Sequence, residues 1–271
     1  MILAYPPILR GFLALLVAGL AFPITGVIIV RMNLITLRFA MMHGALLGGA
    51  IAVASGIHPL GPTLLVNAVI VAAVGRISRR TGVNLGAVTT MVMAVSVAGA
   101  AALTYRLGVP AKDTLAVLWG NIYALRPADL LIVVLFGIVL IAATVIGRRR
   151  LVAMMFSREI AFVSGINEPL AYYAILFGVA ATVAVAMRIL GALLLDVLVI
   201  LPALVAGRIA RSLTSLFLLA GAAGVVASAG GFFISIGLDI PASTGIALAA
   251  VTLLGITEVV AGRTGRRLRP T

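Results

Sequence analysis

The chain alternates between apolar runs of about 20 residues and short basic breaks, and this alternation fixes its environment before any motif is read. Nine runs stand out, at 8–30, 37–54, 60–77, 84–105, 129–146, 170–187, 189–206, 213–233 and 240–260. At 1.5 Å per helical residue, about 20 residues cross a hydrocarbon core roughly 30 Å thick. The 271 residues are 63% hydrophobic and only 10% charged, with a mean hydropathy of +1.27. A soluble domain of this length has no interior large enough for that much apolar surface. The expectation is an all-α, polytopic transmembrane helical bundle of about nine spans, forming one domain over 1–271. The stretch 187–189 admits either a turn or one long kinked helix, which would change the count by one.

A formal charge of +13 would suit a nucleic-acid partner if the basic residues formed a face. They do not; they sit between the apolar runs, as topogenic arginines do. With the C-terminus placed inside, fifteen basic residues fall on the cytoplasmic side: Arg31, Arg38, Arg76, Arg79, Arg80, Arg148, Arg149, Arg150, Arg158, Arg208, Arg211, Arg263, Arg266, Arg267 and Arg269. Five fall outside: Arg10, Arg106, Lys112, Arg126 and Arg188. That bias predicts an external N-terminus and a basic cytoplasmic tail over 261–271. The first run is too long for a cleavable signal peptide and lacks a small-residue cleavage site followed by polar sequence. There is no cysteine, so neither a disulfide nor a thiolate metal site is available. The single lysine, Lys112, lies in no G-x-x-x-x-G-K-[ST] phosphate loop, so this chain does not hydrolyse ATP through that motif. Two histidines, neither H-E-x-x-H nor G-x-S-x-G, and His58 in the 55–59 turn leave no enzyme constellation.

Two connections are too long to be turns. The external 106–128 contains the apolar piece 115–123, with Trp119 and Tyr123, and reads as a short interfacial or re-entrant helix. The cytoplasmic 151–169 reads as one short amphipathic helix outside the bilayer. Gly44, Gly48 and Ala52 recur every four residues on the second span, and Ala220–Gly224 and Ala227–Gly231 do so on the eighth. Such ridges serve close helix packing.

The polar exceptions inside the runs are Asp196 and His43. Ionisable groups at membrane depth face the bundle interior or a water-filled path, and often mark where a substrate or proton passes. Neutral imidazole suits ions of the zinc, manganese and iron class. The competing reading of His43 is a hydrogen bond between helices. For Asp196 it is protonation with a hydrogen bond to a neighbouring helix, or pairing with an arginine such as Arg188. Arg188 lies eight residues earlier, about 12 Å along a helix axis, too far for a pair within one helix. Counted from the ends of their runs, Asp196 lies about 10 Å closer to the outer surface than His43, so the expectation is two successive contacts on one path. Met41 and Met42 immediately precede His43 and suit packing better than soft-metal ligation. Asn67 and Glu258 are weaker candidates, and Asp239 with Pro241 reads as a cap of the last helix.

Several stretches resemble the permease subunits of bacterial ABC importers for manganese, zinc or iron. The segment ILGALLLDVLVILPALVA at 189–206 is similar to that family's VGxLLVxALLxxPAxxA helix, and FSREIAFVSGI at 156–166 to its FDPExAxxxGI segment. LWGNI at 118–122 resembles LFGDIL, and HGALLG at 43–48 resembles SHAxLxG. Pro23, Gly26 and Arg31–Met32 resemble the end of the first long helix, and Ser235, Asp239–Ile240–Pro241 and Ser243–Thr244–Gly245 resemble SxxxDxPSG near the last span. The matches keep the family's order across most of the chain.

The resemblance implies an importer permease of the cobalamin/metal type in the bacterial cytoplasmic membrane. It implies a homodimer, a separate ABC ATPase, an extracytoplasmic metal-binding protein, and a divalent metal ion as transported cargo rather than a resident cofactor. Arg158, Glu159, Ala161 and Gly165 would belong to the helix that docks into the ATPase, and His43, Asp196 and Met42 to the substrate pathway, with His43 and Asp196 touching the metal. Three departures matter. The family's Asp four residues before its histidine is Phe39 here, beside Arg38, and Asp196 stands where the family has a small or hydroxyl residue. Either the carboxylate has moved from the second span to the seventh, or the cargo differs. The family's Asp before the docking helix is Ser157. The alternatives are a siderophore or cobalamin permease, usually longer by a span, and an ion-coupled secondary transporter built on Asp196, which an internal inverted repeat would favour.

Overall fold

The computed structural model describes residues 5–81, 84–108 and 122–263, and every regular element among them is helical. In chain order the helices are α1 Pro6–Arg31, α2 Ile35–Ser55, α3 Leu60–Thr81, α4 Leu85–Arg106, α5 Pro127–Ile146, α6 Arg148–Phe156, α7 Arg158–Val163, α8 Glu168–Leu190, α9 Ala192–Ile209, α10 Leu213–Leu238 and α11 Ala242–Arg263. Nine of the described helices are long and apolar enough to cross a membrane. The expected interfacial piece at 115–123 and the tail beyond 263 lie outside the described residues, apart from a 3₁₀ turn at Ile122–Ala124.

α1 is the hub. It packs against α5, α8, α9 and α10, and Leu15, Phe22 and Ile29 are fully enclosed. α4, α5 and α11 sit at the periphery and turn apolar side chains such as Met91, Val95, Leu131, Ile138 and Val251 outward, as lipid-facing helices do. The glycine ridges serve close packing. Gly44 and Gly48 of α2 meet Ile70 and the Thr63 backbone of α3, Gly224 of α10 meets Gly19 of α1, and Gly231 meets Ile246 of α11. The tightest approach is Gly26 of α1 against the Val199 carbonyl of α9, where a Cβ has no room. Gly26→Ala is therefore expected to lower stability by about 2 kcal/mol or more. Gly49→Ala, whose methyl meets nothing within 4 Å, should leave the melting temperature in detergent unchanged or raised.

The α8–α9 boundary differs from the sequence expectation. The helix runs through Met187–Ile189 and breaks at Gly191, whose φ of 83° and ψ of 168° lie in a region essentially reserved for glycine. The enclosing residues Leu190 and Ala192 are buried. The break is also deep. Val199 is level with Gly26, five residues from the end of α1, so Ala192 lies about 18 Å from that end in a core roughly 30 Å thick. α9 therefore starts inside the bundle, not at the outer surface.

Arg31, Met155, Phe156 and Arg211 line one cleft, and Gly75 of α3 abuts Tyr173 of α8. The ends of α1, α3, α6 and α9 thus share one basic end of the bundle. The segment after α5 is not one helix but two. Ser157, with φ −166° and ψ 144°, ends α6 and starts α7. Asp239 also departs from expectation. In the left-handed conformation, with φ 53°, it terminates α10 rather than capping α11.

Candidate functional site

Asp196 is ion-paired with Arg38, an α2 residue placed at the basic boundary by the sequence reading. The Arg38 side chain is 5% exposed, whereas that of Asp196 is 37% exposed. The guanidinium also lies 4.4 Å over the Phe39 ring, and its Nε has no hydrogen-bond partner. The pair joins two spans with little other direct contact. An isolated charge at this depth is expensive, so each group explains the other. The signal was present in the sequence as two reciprocal departures, a cation beside the missing carboxylate and a carboxylate where none is usual. Arg188 is exposed, and among the described residues it forms no ion pair with Asp196.

The pair also corrects the expected depths. Asp196 is three residues before Val199, which puts it about 12 Å from the basic end of α1. His43 is eight residues into α2, which starts three residues after α1, and so is also about 12 Å deep. The expected 10 Å offset disappears because α9 begins inside the membrane.

His43 is half-buried. Its Nδ1 lies 2.8 Å from the Phe39 carbonyl one turn earlier. A carbonyl oxygen only accepts, so in the neutral ring Nδ1 carries the proton and Nε2 presents its lone pair. This is the arrangement that fixes a metal-binding histidine. Phe39 and His43, four residues apart, share an uncovered face of α2. Met41 and Met42 turn into the core, at 0% and 9% exposure. Among the described residues no three His, Asp or Glu side chains come together as a metal cage.

The other polar candidates are structural in their contacts. Asn67 is buried and its Nδ2 donates to the Ala180 carbonyl at 3.3 Å, tying α3 to α8. Thr25 and Thr182 share a buried hydrogen bond of 3.0 Å between α1 and α8. Glu258 pairs with Arg208 of α9 at 2.5 Å. The His58 ring accepts from the Leu60 amide at 3.4 Å.

At the basic end, α7 is clamped to α8. Arg158 lies 3.7 Å from Glu168 and 3.9 Å over the Tyr172 ring, and Ala161 is fully buried beneath. Ser157 accepts from the Glu159 amide at 3.0 Å, the N-capping that an Asp would also supply. Gly165 ends the turn with φ 74°. What the sequence reading did not single out is the outer surface of this segment. Phe156, Ile160, Phe162 and Val163 are all exposed, outside the spanning helices, and form an apolar patch that needs a cover.

The sequence matches the ABC 3 transport family over residues 4–261. The chain belongs to that family. It is 22% identical over 260 residues to the manganese transport system membrane protein MntC of Halalkalibacterium halodurans, covering 94% of this chain and 87% of the relative. It is 23% identical over 260 residues to the high-affinity zinc uptake system membrane protein ZnuB of Buchnera aphidicola, covering 95% and 97%. The fold superposes on PsaBC from Streptococcus pneumoniae, solved in complex with Fab, with a TM-score of 0.83 at 20% identity over 93% of this chain and 91% of the other. The ABC 3 chain is thus a transport permease subunit with an ABC-permease fold.

Proposed function

We propose that this chain is the membrane permease of an ATP-driven importer of divalent metal ions of the manganese, zinc or iron class. It works in the cytoplasmic membrane of a bacterium, as a homodimer, with a separate ATPase on its basic side and an extracytoplasmic metal-binding protein opposite. The observation that carries this reading is the set of exposed apolar residues Phe156, at the end of α6, and Ile160, Phe162 and Val163, on α7, which is clamped to α8; all lie outside the membrane spans. A rigid helix with an uncovered apolar face suits docking in a groove of a partner. It can pass the partner's movement to α8 and, through Gly191, to α9.

On this reading His43 contacts the ion through Nε2. A second copy covers the Phe39–His43 face and supplies a second imidazole, since the described residues of one chain bring too few donors together. Asp196 borders the same depth, with its charge balanced by Arg38. That balance speaks against a lone secondary transporter with Asp196 as its carrier, because such a carboxylate must be free to exchange its proton or cation. Docking is assigned to Glu159 and the apolar patch, whereas Arg158, Ala161 and Gly165 hold the helix in place.

The test is uptake by the purified chain in proteoliposomes, with and without its ATP-binding subunit. Accumulation of manganese or zinc only when both the subunit and ATP are present is expected. Accumulation by the chain alone, driven by an ion gradient, would contradict the proposal.

A further inference from the structure

We propose that the cavity between α1, α5 and α8 at the basic end binds an anionic glycerophospholipid, with an acyl chain inside and the phosphate at Arg150. The cavity holds about 470 Å³, within the usual size range of ligand sites. It extends from Arg150 and Asn167 at its mouth to Leu140, Ile28 and Val179 at its deep end. Leu140 lies six residues before Ile146, the last residue of α5, so the slot runs about 9 Å along that helix. Ala143 and Ala174, on its open side, are exposed between α5 and α8, which gives lipid a lateral entrance.

The deep wall offers nothing to a polar ligand. The Thr25 hydroxyl is paired with Thr182, and the Thr144 hydroxyl bonds the Leu140 carbonyl at 2.8 Å. The mouth is the opposite. Arg149 and Arg150 have no carboxylate partner among the described residues, and Arg148 bonds only the neutral Thr214 hydroxyl, at 2.7 Å. The neighbouring acid, Glu168, is engaged by Arg158. An apolar slot opening at Arg150, whose guanidinium has no carboxylate partner among the described residues, matches the two ends of an anionic lipid. Gly165 and Ile166 form part of the rim, so the bound lipid also supports the turn that carries α7. The inference rests on the cavity and is independent of the cargo.

Native mass spectrometry of the delipidated full chain tests it, with phosphatidylglycerol and phosphatidylcholine of identical acyl chains as probes. The unaltered chain should bind phosphatidylglycerol about fivefold or more tightly than phosphatidylcholine. Arg150→Gln should reduce that preference markedly. Gly178→Leu, whose Cβ enters open space, and Ala174→Leu on the exposed side should each reduce binding of both lipids without lowering the melting temperature. Equal binding of the two lipids to the unaltered chain would overturn the headgroup assignment. Undiminished phosphatidylglycerol binding by both leucine variants would overturn the cavity.

Discussion

Asp196→Asn is expected to destabilise the protein by about 3 kcal/mol, and the loss should be largely restored by adding Arg38→Met. Arg38 is buried, with its Nε unpartnered, and its charge is met by Asp196 and by the Phe39 ring. Removing one member of a buried pair leaves an uncompensated charge and typically costs 3–5 kcal/mol, while replacing both is often close to neutral. The partial exposure of Asp196 places the expectation at the lower end. Arg38→Met alone should cost less, because the carboxylate left behind is partly exposed. Thermal melts of the four chains form a double-mutant cycle. A coupling energy near zero would mean that the pair does not hold α2 to α9. The cycle also changes how transport data are interpreted. Loss of uptake in Asp196→Asn alone cannot separate misfolding from a missing cargo contact. The double variant can, once its melt shows that it folds without either charge.

The second large effect is at the docking patch. Phe162→Ser with Val163→Ser should weaken binding of the ATPase subunit by roughly thirtyfold, as expected when a buried apolar anchor contributing about 2 kcal/mol is removed. Both side chains are exposed in the isolated chain, so its melting temperature should not fall. Glu159→Arg should have a smaller effect of the same sign. Arg158→Ala should act indirectly, loosening α7 from Glu168 and Tyr172 and making the segment more accessible to protease. Titration of the subunit onto the purified permease checks all three, and undiminished affinity in the double serine variant would remove the segment from the interface.

The architecture was legible because bilayer thickness converts directly into sequence length. The runs at 8–30 and 129–146 correspond to Pro6–Arg31 and Pro127–Ile146 with shifts of only one or two residues. The helix break was less so. Arg188 looks like a boundary in a hydropathy reading, yet the turn comes at Gly191, because only glycine accepts its backbone conformation and the flanking residues are enclosed by other helices. Once α9 was assumed to begin at the outer surface, the depth of Asp196 followed wrongly. The partner of Asp196 was equally hidden. Arg38 fits the topogenic pattern so well that nothing in its own span marks it as buried, and only a tertiary contact 158 residues away reveals it. His43 was recognisable as an intramembrane imidazole, but the orientation of its ring required the Phe39 carbonyl. The docking surface was missed for another reason. Short apolar stretches in a chain this hydrophobic carry no contrast until the fold shows that 156–163 lies outside the membrane spans.

The proposed passage of cargo past His43 is tested by the initial rate of ATP-dependent manganese or zinc uptake in proteoliposomes containing the permease with its ATPase, for the unaltered chain and for His43→Ala. A fall of at least about tenfold is expected, the scale of losing a metal contact, with ATPase binding and melting temperature unchanged. Uptake of both metals at the unaltered rate by a folded, ATPase-bound His43→Ala chain would contradict it.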